Sequence, residues 1–161
     1  EQRNSLIKKI VKELSKKENN YNLTIKIHPS SEQLTDYETI VHKIDKSIKI
    51  IQQGNILEHI TNADVIITYS GASSLVYALM CNKPIIICNF YDLRNDIFID
   101  GKVAVSCKNE KEIKKTIEKV GIESFIKKED VEKFIAEYFH KLDGKASERI
   151  GNEILKIVKK Q

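Results

Sequence analysis

Apolar positions along the chain fall into two periods that alternate. Leu6, Ile7, Ile10, Val11 and Leu14 recur at helical spacing with lysines between them, which predicts an amphipathic helix over about 4–17, ended by Asn19 and Asn20. Leu23-Thr24-Ile25-Lys26-Ile27 reads as a strand stopped by His28-Pro29, the proline holding His28 extended at the strand's carboxyl end. Residues 30–37 are polar loop, Tyr37 to Ile44 a short helix and Ile48 to Ile51 a short strand. Gly54 and Asn55 turn the chain into a helix over 56–61. Val65 to Ile67 are β-branched without alternation, the mark of a strand buried on both faces. A small polar run, Ser70-Gly71-Ala72-Ser73-Ser74, follows at once, and Leu75 to Met80 suits a helix. Pro84 cannot continue that helix, and Ile85 to Ile87 repeat the buried-strand pattern. Strand, turn, helix and strand of this length make a right-handed crossover between parallel strands.

Beyond it, 93–102 reads as irregular and Val103-Ala104-Val105 as a last strand. Asn109 with Glu112 three residues on predicts a capping box for a helix whose stripe is Ile113, Ile117 and Val120. Helices over about 129–141 and 146–159 close the chain. Strands alternating with helices predict an α/β fold, a Rossmann-like parallel sheet flanked by helices. Residues 1–161 read as a single Rossmann-like nucleotide-binding domain. The core is expected to hold Leu57, Ile66, Leu75, Leu79 and Ile86. A doubly wound sheet also wants a first strand in its middle, and nothing before Asn4 supplies one. Either an upstream part of a longer protein provides it or the sheet is rearranged. The absence of an initial Met points the same way, to a fragment of a longer two-domain protein.

Composition narrows the partners. The net charge is +4, but lysines and glutamates are interleaved on helix faces, so no one-sided basic stripe for nucleic acid emerges. The three cysteines, Cys81, Cys88 and Cys107, have no CxxC spacing and read as buried thiols of a reducing cytosol. No apolar run approaches the ~20 residues of a membrane span, and no signal peptide is expected. A cytoplasmic location is the expectation.

Three strand ends converge on one edge of the predicted sheet: His28, residues 69–74, and Asn89 to Asp92. An imidazole, backbone amides at a helix start and serine hydroxyls together suit a phosphate or diphosphate. Singly, each has a plainer explanation, a satisfied structural histidine or a serine-capped turn. Jointly they nominate His28, Ser70, Gly71, Ala72, Ser73 and Ser74 as phosphate-binding residues. Gly71 is expected at positive φ, and both it and Ala72 are expected to leave room for the ligand.

The order Ile-His-Pro, then Ala63-Asp64-Val65-Ile66-Ile67-Thr68-Tyr69-Ser70, Lys83-Pro84-Ile85-Ile86, Tyr91-Asp92-Leu93 and Asp143-Gly144-Lys145-Ala146-Ser147-Glu148-Arg149-Ile150 resembles the C-terminal, donor-binding half of GT-B-fold transferases. It is most similar to the glycerophosphotransferases that use CDP-glycerol for wall teichoic acid and to related capsule enzymes. The non-hydrolysing UDP-N-acetylglucosamine 2-epimerases share a similar turn. The resemblance implies a CDP- or UDP-linked donor as substrate and a sugar or polyol-phosphate as the group moved. It also implies an N-terminal acceptor domain that supplies the general base, so that this half alone binds without catalysing, and peripheral membrane association of the parent protein. By the same resemblance His28 and residues 70–74 contact the donor's phosphates, and Gly54, Asn55 and Ile56 lie near the base. Two departures stand out. Tyr77 occupies the place of a usual ribose-binding acid, where a phenol can still bond or stack, and Tyr69 follows Thr68 where an aspartate is common. No metal is expected, because a helix amino end and His28 can offset leaving-group charge, and no cofactor besides the donor. Two alternatives remain open: an epimerase acting on the nucleotide sugar, and a non-catalytic Rossmann-like interaction domain that has lost its ligand.

Overall fold

The computed structural model describes residues 2–91, 96–122 and 126–159. Its elements in order are α1 (Gln2–Leu14), β1 (Thr24–Lys26), α2 (Leu34–Val41), β2 (Lys49–Ile51), α3 (Ile56–Thr61), β3 (Ile66–Thr68), α4 (Leu75–Met80) and β4 (Ile85–Cys88). Then come α5 (Ile97–Asp100), β5 (Val105–Cys107), a 3-10 turn (Glu110–Glu112), α6 (Ile113–Ile122), α7 (Lys128–Tyr138) and α8 (Ala146–Val158). All strand pairs are parallel, with Ile25 opposite Ile50, Ile67 opposite Ile86, and Ile87 opposite Ser106. This is the Rossmann-like α/β architecture: parallel strands joined by helices that cover both faces.

β4 is the strand around which the helices close. Its four residues are all buried, and they alternate between faces. Ile85 and Ile87 meet Ile60 of α3, Leu75 and Leu79 of α4, Phe98 of α5 and Phe134 of α7. Ile86 and Cys88 turn to the other side, against Leu14 of α1 and Ile113 and Val120 of α6. A continuous apolar run is what a strand covered twice requires, and each isoleucine so buried contributes about 1.5–3 kcal/mol. Cys88 and Cys107 are register neighbours inside this core, whereas Cys81 is half-buried.

The sheet is divided. β1 pairs only with β2, and β3, β4 and β5 form a second sheet in that order. Ile27 donates to Ile51 O at 2.9 Å, so the backbone groups of Thr24 and Lys26 face the other edge of β1. Ile66 donates to Pro84 O at 2.9 Å, which likewise turns the groups of Ile67 away from β4. Among the described residues neither edge has a strand partner. The two sheets are linked by α1, whose Val11 packs with Val41 and Ile48 while its Leu14 packs under β4.

Several expectations need correction. Leu75, Leu79 and Ile86 are buried, but Ile66 is only half-buried, because β3 is an edge strand, and Leu57 is 40% exposed, because α3 turns only Ile60 fully inward. The segment expected to be irregular contains α5, whose start is capped by Asp96 accepting from the Phe98 amide at 3.0 Å. The last strand begins two residues late. The amides of Val103 and Ala104 both donate to Phe98 O, at 3.0 and 3.1 Å, so the ladder with β4 starts at Val105. Asn109 caps as expected, accepting from the Lys111 amide, while Glu112 reaches back to the Lys108 amide. α8 forms where predicted, but its face of Ile150, Ile154, Leu155, Ile157 and Val158 is exposed. Among the described residues no helix is long and apolar enough to cross a membrane.

Candidate functional site

Parallel strands deliver their carboxyl ends to one edge, and the chain after β1 is tightly organised there. The His28 amide donates to Glu32 Oε2 at 2.9 Å, closing the loop on itself. Glu32 Oε1 accepts from the Tyr37 hydroxyl at 2.6 Å and from Arg3 Nη1 at 2.7 Å. Gln52, just past β2, donates to Glu32 O at 2.7 Å and holds the loop from the neighbouring strand. Burial alone would raise the Glu32 carboxyl, but the bonds from Tyr37 and the His28 amide and the Arg3 charge outweigh it and hold the group below the usual carboxylate range. The Tyr37 hydroxyl is pushed up by burial first and by Glu32 next. Tyr69, which follows β3, adds a further, smaller upward push.

The exposed His28 ring lies over its own loop, with the amides of Ser30 and Ser31 donating to Nδ1 at 3.3 and 3.2 Å. Nearby, the Lys26 ammonium donates to Ile27 O at 2.9 Å and Gln52 O at 2.8 Å, placing a cation across the carboxyl ends of β1 and β2.

The turn after β3 differs from expectation in three respects. Gly71 is not at positive φ; among the described glycines that conformation belongs to Gly54 (φ 97°) and Gly144 (φ 72°). Gly71 is instead constrained by packing. A Cβ there would lie 3.1 Å from Asp96 Oδ2 and 3.2 Å from Phe98 Cδ2. Its amide is taken by Asp96 Oδ2 at 2.7 Å, so this donor of the turn is already engaged by a carboxylate. Third, Ser74 makes no capping bond through its side chain. The start of α4 is built by backbone turns, with Leu75, Val76 and Tyr77 donating to the carbonyls of Ala72, Ser73 and Ser74. The amides of Ala72, Ser73 and Ser74 have no partner among the described residues, and Ala72 and Ser73 are exposed.

Gly54 and Asn55 follow β2 on the same edge, but the Asn55 side chain is engaged in capping α3, accepting from the Leu57 amide at 3.0 Å. Ile56 is half-buried against the core, and Tyr77 stands 44% exposed on α4. Of the third strand end, Asn89 to Tyr91 follow β4, while Asp92 and Leu93 lie outside the described residues. The Asp143–Arg149 stretch is a lock at the start of α8: Asp143 accepts from the Lys145 amide at 3.0 Å and from Arg149 at 2.8 Å. No three His, Cys, Asp or Glu side chains gather as metal ligands among the described residues. A cleft lined by Tyr21, Asn22, Leu23, Asp45 and Ser47 lies at the amino ends of β1 and β2, the opposite edge.

Residues 7–156 match the family described as CDP-glycerol:poly(glycerophosphate) glycerophosphotransferase, which is nearly the whole chain. The chain belongs to that family. No curated protein sequence is matched. His28-Pro29 and residues 63–74 fall within the matched span, His28 just after β1 and Ser70 to Ser74 after β3. Glu32, Arg3, Tyr37, Lys26 and Asp96 are the polar residues there that periodicity and motif reading passed over. Glu32 alone left a trace, a carboxylate four residues after an X-Pro histidine. Arg3 is 29 residues from its partner and left none.

Proposed function

We propose that this chain is the donor-binding half of a GT-B transferase that moves glycerophosphate from CDP-glycerol to a growing surface polymer. The diphosphate would be held by the amides of Ala72, Ser73 and Ser74, the hydroxyls of Ser70, Ser73 and Ser74, and the His28 ring. The observation that supports this reading is the row of three amides at the start of α4 without partners among the described residues, together with His28 and Lys26 at the carboxyl end of β1. Amides and a cation stabilise the charge that builds on a nucleotide leaving group as its bond to the transferred phosphorus breaks. Gly54, Asn55, Ile56 and Tyr77 would border the cytidine, Asn55 through its backbone, since its side chain caps α3. The acceptor and general base would come from the other half of a longer, cytoplasmic protein, associated peripherally with the membrane.

Calorimetric titration with CDP-glycerol, CDP, UDP and cytidine tests this. Saturable binding of CDP-glycerol and CDP supports it. The His28→Ala variant should lose about 1.5–3 kcal/mol toward CDP and almost nothing toward cytidine, as for a hydrogen bond to a charged group. An equal loss for both ligands refutes the phosphate role of His28. Absence of binding at millimolar ligand favours a ligand-free interaction domain instead. One observation speaks for that second reading: the Asp96 carboxylate sits where the turn would otherwise take an anion.

A further inference from the structure

The loop of seven residues between β1 and α2 is held by one arrangement of its own Glu32 with Arg3 of α1 and Tyr37 of α2. The Glu32 carboxylate is 10% exposed and takes three donors, from Tyr37, Arg3 and the His28 amide. Arg3 also lies over the Tyr37 ring, 5.3 Å from its centroid. Gln52 adds bonds to the carbonyls of Glu32 and, at 3.4 Å, Pro29. The backbone of 28–32 is thereby closed, and its closure is what aims two amides at one ring nitrogen. Ser30 and Ser31 both donate to His28 Nδ1. An N–H donor needs a lone pair to meet, so Nδ1 is the acceptor and the ring proton is on Nε2.

We propose that Glu32, held by Arg3 and Tyr37, is a positioning residue that fixes His28 as an Nε2–H donor at the carboxyl edge of the sheet. The Ser30 hydroxyl, 3.4 Å from Nδ1, completes the set of groups on the inner nitrogen. A ring so held presents a hydrogen-bond donor while still neutral, which suits a phosphate oxygen and not a proton to be removed. The consequence for ligand binding rests on the phosphate reading of His28; the tautomer itself does not.

Long-range proton–nitrogen correlation spectra of the ring read the tautomer directly, with His28→Gln used to assign the signal. Spectra are taken without nucleotide at about pH 8, above the ordinary imidazole range. The wild type should show Nε2 protonated and Nδ1 bare. Glu32→Gln, which loses acceptors but keeps shape, should give a mixture of tautomers, and Tyr37→Phe, which keeps the ring, a smaller shift in the same direction. Glu32→Gln should also bind CDP about fivefold more weakly with cytidine unchanged, the loss of roughly one well-placed hydrogen bond. A wild-type ring protonated on Nδ1, or one tautomer unchanged in both variants, overturns the proposal. If wild type fails to bind CDP yet shows the Nε2–H ring, and Glu32→Gln loses it, the phosphate reading falls while Glu32 still stands as the residue that fixes the ring.

Discussion

The Gly71 amide donates to the Asp96 carboxylate at 2.7 Å and so ties the turn after β3 to the start of α5, 25 residues later. The same carboxylate caps α5 through the Phe98 amide. It therefore fixes the turn's shape and at the same time places a negative charge beside the amides proposed to hold the diphosphate. A capping latch favours the fold, and its charge opposes a phosphate.

Asp96→Asn separates the two effects. Asparagine is a good cap, so stability should fall by only about 0.5–1 kcal/mol. Removing one charge a few ångströms from a bound diphosphate is worth ~1 kcal/mol in a water-like surrounding, so CDP affinity should rise about fivefold. Denaturation and titration on the same sample measure both. Affinity that stays constant or falls would place the phosphate elsewhere than beside Gly71.

Gly101 makes a prediction about the core. It has an ordinary φ of −75°, yet an added Cβ would lie 2.5 Å from Phe134 Cδ2 and 2.9 Å from Ile97 O. Phe134 cannot yield easily, since it packs in tilted contact with Phe98, Tyr138 and Phe139 at centroid distances of 5.1, 4.9 and 5.9 Å. Gly101→Ala should therefore cost ~1–3 kcal/mol by overpacking. Ile86→Ala, at the buried centre of β4, should cost ~2–5 kcal/mol, and Ile66→Ala on the edge strand less. Urea denaturation orders the three. If Ile66→Ala proved as costly as Ile86→Ala, β3 would not be an edge.

What the sequence disclosed, and what it hid, follows from the range of the forces involved. The limits of α3 and α4 were legible because Asn55, Pro84 and the apolar spacing act within a few residues. β4 was legible because a strand covered on both faces must be apolar throughout. The start of β5 was missed because its position depends on Val103 and Ala104 bonding back to Phe98 O. No propensity marks that contact, and the short helix supplying the carbonyl went unseen with it. The exposure of Leu57 and of the α8 face is a tertiary fact of the same kind: spacing defines a stripe but does not say what covers it. At the site, His28 and residues 70–74 stood out because proline and small polar residues punctuate strand ends. The groups that hold them, Arg3 with Glu32 and Asp96 with Gly71, are joined across 29 and 25 residues and are visible only once the chain is folded.

The cradle itself is tested best at Ala72. Valine at Gly71 is a poor probe, because even its Cβ would press on Asp96 and Phe98 and unsettle the cap of α5. Ala72 is exposed, so its side chain can grow without entering the core. Its own amide and those of Ser73 and Ser74 have no partner among the described residues, and a β-branched side chain set among them would occupy the volume proposed for the phosphate. Ala72→Val should stay folded, with a melting temperature close to wild type, and lose measurable CDP binding. Ser73→Ala removes one hydroxyl and leaves the amide, so it should weaken CDP by no more than ~1 kcal/mol, as for one neutral hydrogen bond. The contrast between the two variants is the decisive quantity, because a ligand held by backbone is sensitive to bulk and tolerant of a lost hydroxyl. Titration of folded Ala72→Val that gave wild-type affinity would remove the phosphate from this turn and leave the turn as a plain link between β3 and α4.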